Sequence, residues 1–327
     1  MHRRFAKLVR SLAVLVALVA ATAAPAADLS KVYRIAFPTA ETGFDPARVS
    51  DLYSNTVNEA IFERLLTYDY LARPAKLVPL VAEAMPQVTE NGRVYTFRIR
   101  RGIHFTPDPA FKGRKRELVA ADFAYTIKRH ADPKNRSPWA FMVEGRIAGL
   151  DTLIEQAKKT GRFDYDAKIP GIETPDPYTL VIRLGAPDYL FNYTVAHAPY
   201  GAIAREVVEA YGEDIGAHPV GTGPYVLKEW KRASRIVLEA NPDYRGFTWD
   251  FAPAEPAWDD AIVKAMSGKK MPRIGRVEIS IIEEDQSRWL AFGGKELDVL
   301  ALPGTFRPQA VGADGNLLPR WTGEGVS

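Results

Sequence analysis

Pro219-Val220-Gly221-Thr222-Gly223-Pro224-Tyr225 carries two glycines in a setting that superficially resembles a phosphate-binding loop. The Gly-Lys-Ser/Thr ending such a loop needs is absent, and Pro224 removes one backbone donor from any cradle. The run therefore reads as a tight turn entering a strand. Directly after it, Tyr225 to Trp230 and Arg235 to Ala240 alternate as the two arms of a hairpin.

Outward from this hairpin, alternation marks more strands: Val32 to Phe37, Val94 to Ile99 with Tyr95, Phe97 and Ile99 on one face, and Tyr178 to Leu184 with Tyr178, Leu180, Ile182 and Leu184 aligned. Val277 to Ile282 and Leu297 to Leu302 complete the set. Helical spacing lies between them. Asp51 is placed to cap a helix carrying Val57, Ile61, Phe62 and Leu65 on one stripe. Asp122 opens a helix with Phe123, Ile127 and Ala131 that Asp132-Pro133 stops. Further helices are expected from Ile147 to Ala157, ending at Gly161, and over Ile203 to Tyr211 and Asp259 to Met266. One over Gln286 to Phe292 has Asp285 as its natural N-cap. Strands spaced by helices and loops indicate α/β or α+β structure, not an all-β sandwich.

The first ten residues hold Arg3, Arg4, Lys7 and Arg10 with no acid, and an apolar stretch from Leu12 to Ala24 follows. Ala24-Pro25-Ala26 fits cleavage before Ala27, so residues 1–26 read as a signal peptide of the general secretory route. The apolar run is shorter than the roughly 20 residues a spanning helix requires. The twin-arginine pattern is poor, because Phe5 follows Arg4 directly. Without the four leader cations the net charge of +3 becomes −1, which gives no overall electrostatic reason to expect a nucleic-acid partner. The chain has no cysteine, which rules out disulfides and a lipid anchor on a cysteine after the signal. These features predict a freely diffusing periplasmic monomer, not itself membrane-spanning.

No catalytic constellation emerges, and neither a cofactor nor a metal site is expected. His2, His104, His130, His197 and His218 form no HExxH pair, and no GxSxG elbow is present. Glu283-Glu284-Asp285 falls at a strand-to-helix junction, where carboxylates favour the helix N-terminus. Asp259-Asp260 has the same explanation. The six tryptophans are dispersed; packing explains most of them, with one or two available to line a cleft.

Several segments together resemble the periplasmic dipeptide- and oligopeptide-binding proteins of ABC importers, the family 5 extracellular solute-binding proteins. They are Phe44-Asp45-Pro46, Ala60 to Leu66 (AIFERLL), Tyr95 to Phe105 (YTFRIRRGIHF), Ala120 to Tyr125 (AADFAY), Asp132-Pro133, Ser137-Pro138 and, above all, Pro219 to Tyr225. Their order covers Val32 to Leu302. The resemblance implies a two-lobed periplasmic-binding-protein clamshell, type II and of the peptide-binder type, that closes on its solute and presents it to a membrane permease driven by ATPase subunits. It implies no enzyme activity.

The resemblance further implies residues 27–275 as the first lobe with its inserted subdomain, and 276–327 as the start of a second lobe. Family members continue beyond the equivalent of Leu302, so the second lobe and the returning C-terminal part are expected to be largely missing. The residues that meet peptide termini in relatives would lie there. On the first-lobe side, Ala40, Glu41, Thr42 and Gly43 are the expected ligand-binding loop: contact runs through the backbone, Gly43 allows close approach and Glu41 faces a ligand amine. An ordinary polar loop with a turn glycine is the alternative there. The implied solute is a di- or oligopeptide, with a nickel chelate, haem, a sugar or an opine as alternatives. A non-functional truncated remnant and, from another class, a periplasmic hydrolase are the other readings.

Overall fold

The computed structural model describes residues 27–326; the expected signal peptide, with its cleavage between Ala26 and Ala27, lies outside the described residues. The strands are β1 (Asp28–Phe37), β2 (Leu66–Tyr68), β3 (Leu77–Pro79), β4 (Gln87–Thr89), β5 (Val94–Arg98), β6 (Ile172–Asp176), β7 (Thr179–Arg183), β8 (Tyr225–Lys231), β9 (Arg235–Ala240), β10 (Phe247–Thr248), β11 (Lys270–Met271) and β12 (Ile274–Ile281). The principal helices are α1 (Leu52–Ile61), α2 (Ala120–Ala131), α3 (Leu150–Thr160), α4 (Phe191–Val195), α5 (Arg205–Tyr211), α6 (Pro256–Met266) and α7 (Asp285–Gly293). No described helix is long and apolar enough to cross a membrane.

Two four-stranded sheets divide the work. One runs β1-β12-β9-β8, with β1 parallel to β12 and the other neighbours antiparallel; the second runs β4-β5-β7-β6 and is antiparallel throughout. The expected alternation holds in the second sheet, where Tyr95, Phe97, Ile99, Leu180, Ile182 and Leu184 are all buried. One apolar core reaches from Ile236 and Ile279 of the first sheet, through Ile61 and Phe62, to Phe97 of the second.

Helix α1 is capped as expected, Asp51 Oδ1 accepting the Ser54 N–H at 2.7 Å, but it ends at Ile61. Phe62 and Leu65 are buried as the stripe required, yet they lie on the extended stretch leading to β2 and not on the helix. The glycines of the 219–225 turn explain the stop. A Cβ on Gly221 would stand 2.0 Å from the Ile61 carbonyl oxygen, and Gly223 donates its N–H to that same oxygen at 2.8 Å. Thr222 Oγ1 donates to Glu63 Oε2 at 2.9 Å, and Arg245 grips the same carboxylate through both guanidinium ends at 2.5 and 2.7 Å. The turn is thus a close backbone approach that closes the end of α1.

Helix α2 starts where Asp122 Oδ2 accepts the Val119 N–H at 2.8 Å and stops at Ala131, ahead of Asp132-Pro133. It delivers two buried polar groups. Arg129 meets Asp45 in a two-pronged contact of 2.7 and 2.9 Å, both residues being about 2% exposed. His130 is buried between Ser137 Oγ at 2.8 Å and the Pro199 carbonyl oxygen at 2.9 Å.

Two expectations are corrected, while the strand expected at Arg276 is present as β12, inside the first sheet between β1 and β9. Leu297 to Leu302 forms no strand: only Asp298 touches β1, donating its N–H to Arg34 O at 2.9 Å and accepting the Arg34 N–H at 2.6 Å. Its alternation reflects apolar side chains, among them Leu300, turning toward a separate small cluster of Trp289, Ala310 and Trp321. Asp285 lies within α7 and bonds Arg288, while Glu284 occupies the cap position without a side-chain cap bond.

Gly221→Ala is expected to lower stability by about 2 to 3 kcal/mol, because backbone must move to admit the methyl. Gly216→Ala, whose Cβ would make an ordinary 3.6 Å contact, is the near-neutral control; urea midpoints separate the two. Acid should destabilise the fold in two stages. Burial depresses His130 to about 4 against about 6.5 in an unfolded chain. Its contribution is complete above pH 6.5 and is lost as pH falls toward 4, at up to about 1.4 kcal/mol per pH unit. Burial disfavours the Asp45 charge, but Arg129 outweighs it and holds the carboxyl below the usual carboxylate range. That contribution is present above the unfolded carboxyl pKa near 3.9 and disappears below it. Urea midpoints from pH 7 to 3, with the His130 imidazole followed by NMR, check both stages.

Candidate functional site

Strands β1 and β12 run parallel and finish together, the Ile282 N–H donating to Phe37 O at 3.0 Å. The loop Pro38 to Gly43 and the crossover Glu283 to Glu284 therefore leave the sheet side by side. The carboxyl ends of adjacent parallel strands are a common place for ligands, because chain departing from both leaves a crevice. Arg288 steadies the crossover by donating to Ile282 O at 2.6 Å and Glu283 O at 2.7 Å.

The four residues expected to bind ligand have distinct settings. Thr42 is spent on the cap of α1: its N–H donates to Ser54 Oγ at 3.0 Å and its hydroxyl to Asp51 Oδ2 at 2.6 Å. Gly43 has φ +140° with nothing within 4 Å of the Cβ it lacks, so conformation and not crowding calls for glycine. Behind it, Phe44 is fully buried, 4.8 Å from the Trp230 ring.

Glu41 is only 4% exposed. Its Oε1 accepts the Trp230 indole N–H at 2.5 Å and the Ala233 N–H at 3.0 Å, while Oε2 is buried with no partner. Among the described residues, the backbone N–H and C=O of Ala40 and Glu41 make no hydrogen bond. The site thus combines an unpaired strip of backbone with a carboxylate held in place by one oxygen only.

Trp230 and Ala233 were not named as site residues from sequence. Their pairing with Glu41 spans about 190 positions, and the only local sign was a tryptophan in a short hairpin. Beside them Arg232 is exposed, its guanidinium 4.7 Å from the centre of the Trp230 ring. The 219–225 turn lies under α1 and lines no part of the Ala40–Gly43 loop's hydrogen bonding.

The histidines are scattered: His104 contacts Gly102 O, His197 stands 4.7 Å from Trp139, and His218 stacks on Tyr211 at 3.8 Å. Among the described residues no group of three or more His, Cys, Asp or Glu is placed to hold a metal ion. After the crossover, Trp289 lies flat against Phe306 and edge-on to Trp321, bordering an open hollow of about 530 Å³ that Phe292 and Leu300 also line.

Residues 76–323 match the family model described as bacterial extracellular solute-binding proteins, family 5 Middle. The periplasmic oligopeptide-binding protein OppA of Escherichia coli K12 is 29% identical over 203 residues, 61% of this chain and 34% of the relative. A glutathione-binding protein GsiB of Shigella dysenteriae is 28% identical over 72% of this chain and 39% of its own length. Among solved structures, Burkholderia pseudomallei OppA superposes with a TM-score of 0.65 at 23% identity, over 85% of this chain and 47% of that one. The murein tripeptide binding protein MppA of Escherichia coli gives 0.65 at 22% identity, over 87% and 48%. The chain spans between a third and a half of the length of these relatives. The fold is that of the OppA-type binding proteins, and the chain belongs to the bacterial extracellular solute-binding proteins of family 5.

Proposed function

We propose that this chain is the peptide-capturing component of an ABC importer in the periplasm, delivering its solute to a membrane permease. One observation carries the reading. Ala40 and Glu41 offer unpaired backbone at the mouth of parallel strands, next to a buried carboxylate oxygen without a partner. An extended peptide supplies what these groups lack: alternating N–H and C=O groups for the backbone, and a charged amine for Glu41 Oε2. Such recognition is indifferent to side-chain identity, so affinity comes from the main chain. Arg232 adds an exposed cation within reach of a peptide carboxylate. The relatives support the same class, being an oligopeptide-binding, a murein tripeptide-binding and a glutathione-binding protein.

We further infer that Ile282 is the hinge point. Residues 27–282 form the first lobe with the second sheet as its inserted subdomain, and the Trp289–Trp321 cluster belongs to the second.

Amide NMR of the isotope-labelled chain tests this with trialanine, a pentapeptide and glutathione. The expected result is that a peptide shifts the Ala40 and Glu41 amides, and that Glu41→Gln weakens the effect roughly tenfold or more. If all three leave both amides unmoved, the peptide assignment fails.

A further inference from the structure

The near-neutral balance of the chain hides a strong local segregation of charge. Between Arg93 and Glu117, Lys and Arg outnumber the carboxylates Asp108 and Glu117 eight to two, and the remaining described residues carry an excess of acid. Most of these cations sit on one hairpin arm. Residues 101–106 and 114–118 run antiparallel, joined by Phe105 N to Arg116 O at 2.9 Å and Leu118 N to Ile103 O at 2.8 Å. Ile103, Phe105, Phe111 and Leu118 are buried beneath it, so the arm is a built element of the fold.

Arg116 is used internally, bonding Asp122 and Glu206. Five others are different. Arg100, Arg101, Lys112, Arg114 and Lys115 are all exposed, and among the described residues none has a carboxylate within 4 Å. Their postures are nonetheless supported: Arg100 donates to Ala82 O at 3.1 Å and Glu83 O at 3.3 Å, and Arg101 lies over the Tyr178 ring at 4.5 Å. The two carboxylates on the arm are engaged elsewhere: Glu117 accepts the Gly102 N–H at 2.6 Å, and Asp108 accepts the Ala110 N–H at 2.8 Å and the Tyr211 hydroxyl at 3.1 Å.

Arg100 and Arg101 stand at the base of the hairpin, whereas Lys112, Arg114 and Lys115 stand at its tip. The cations do not converge on one point, so they do not suit a single phosphate or a small anion. A laterally extended array of fixed negative charge matches them better, since each cation then finds its own counter-charge.

We propose that the Arg100–Leu118 arm is an electrostatic docking surface for an anionic phospholipid bilayer. From the function proposed above it takes only the location beside a membrane; it is independent of the Ala40–Gly43 loop and of which solute binds there. Its physical effect is to hold the protein loosely near the plane in which a permease lies, by a contact that salt weakens.

Sedimentation with vesicles tests this, using the chain from Ala27 onward, which retains every described element. The wild type is expected to bind phosphatidylglycerol/phosphatidylcholine vesicles, to ignore pure phosphatidylcholine, and to release at 0.5 M salt. Combining Lys112→Gln, Arg114→Gln and Lys115→Gln should cut partitioning by roughly 100-fold while leaving the melting temperature and the peptide-induced shifts at Ala40 and Glu41 unchanged. Equal binding to both vesicle types, or undiminished binding by the triple variant, overturns the proposal. So does capture by poly-glutamate without capture by vesicles, which would assign the arm to an acidic protein segment.

Discussion

The parallel pairing of β1 with β12 is the constraint on which the rest depends. Val32 stands opposite Arg276, so roughly 240 residues must be gathered before the ladder can form. Closing a flexible loop of that size costs about 5 kcal/mol in chain entropy beyond a constant term. The chain lowers this cost by folding most of the intervening length into structure of its own. Sheet β4-β5-β7-β6 uses only antiparallel neighbours, and its core continues directly into that of the first sheet through α1. The loop that β1 and β12 close is therefore a packed body whose ends already lie close together.

That arrangement also creates the site. A parallel pair must send both chains out at the same end, and here one exit is the Ala40–Gly43 loop while the other leads to α7 and the Trp289 cluster. The turn between β8 and β9 reaches the same place, bringing Trp230 and Ala233 onto Glu41. A buried carboxylate would ordinarily be expected to satisfy both oxygens or to be replaced by an apolar residue. Glu41 satisfies one. The fold thus fixes the group through Oε1 and leaves Oε2 buried without a partner, in contrast to Asp45, whose two oxygens are both taken by Arg129.

Legibility from sequence followed the range of the interaction involved. Alternation located β5, β7, β8 and β9, and capping and breaker residues located α1, α2 and α3, because each depends on neighbours within a few positions. The Leu297–Leu302 stretch shows the limit of that signal. It has the right alternation but only Asp298 meets a strand, since alternation reports a half-buried face and not the presence of a partner ladder. Likewise α1 was read through Leu65 because Phe62 and Leu65 are indeed buried; what ends the helix at Ile61 is backbone from Gly221 and Gly223, some 160 positions away. At the candidate site, Ala40 to Gly43 were singled out by their position in the order of motifs. That Thr42 serves the α1 cap, and that Trp230 holds Glu41, depends on contacts no local pattern encodes.

The same distinction applies to charge. Net charge describes a molecule seen from many Debye lengths away, where +3 or −1 means little. A partner close to the surface instead meets cations that lack a local carboxylate, and pairing decides which those are. Arg116, Arg129 and Arg245 are each neutralised by buried or half-buried acids and contribute to the fold. Arg100, Arg101, Lys112, Arg114 and Lys115 have no such acid and project from a hairpin whose other face is core. Exposed, unpaired cations on a rigid support add nothing evident to stability, since even paired surface charges contribute little. The physical role left to them is attraction at a distance set by ionic strength, acting on whatever extended negative surface the protein approaches.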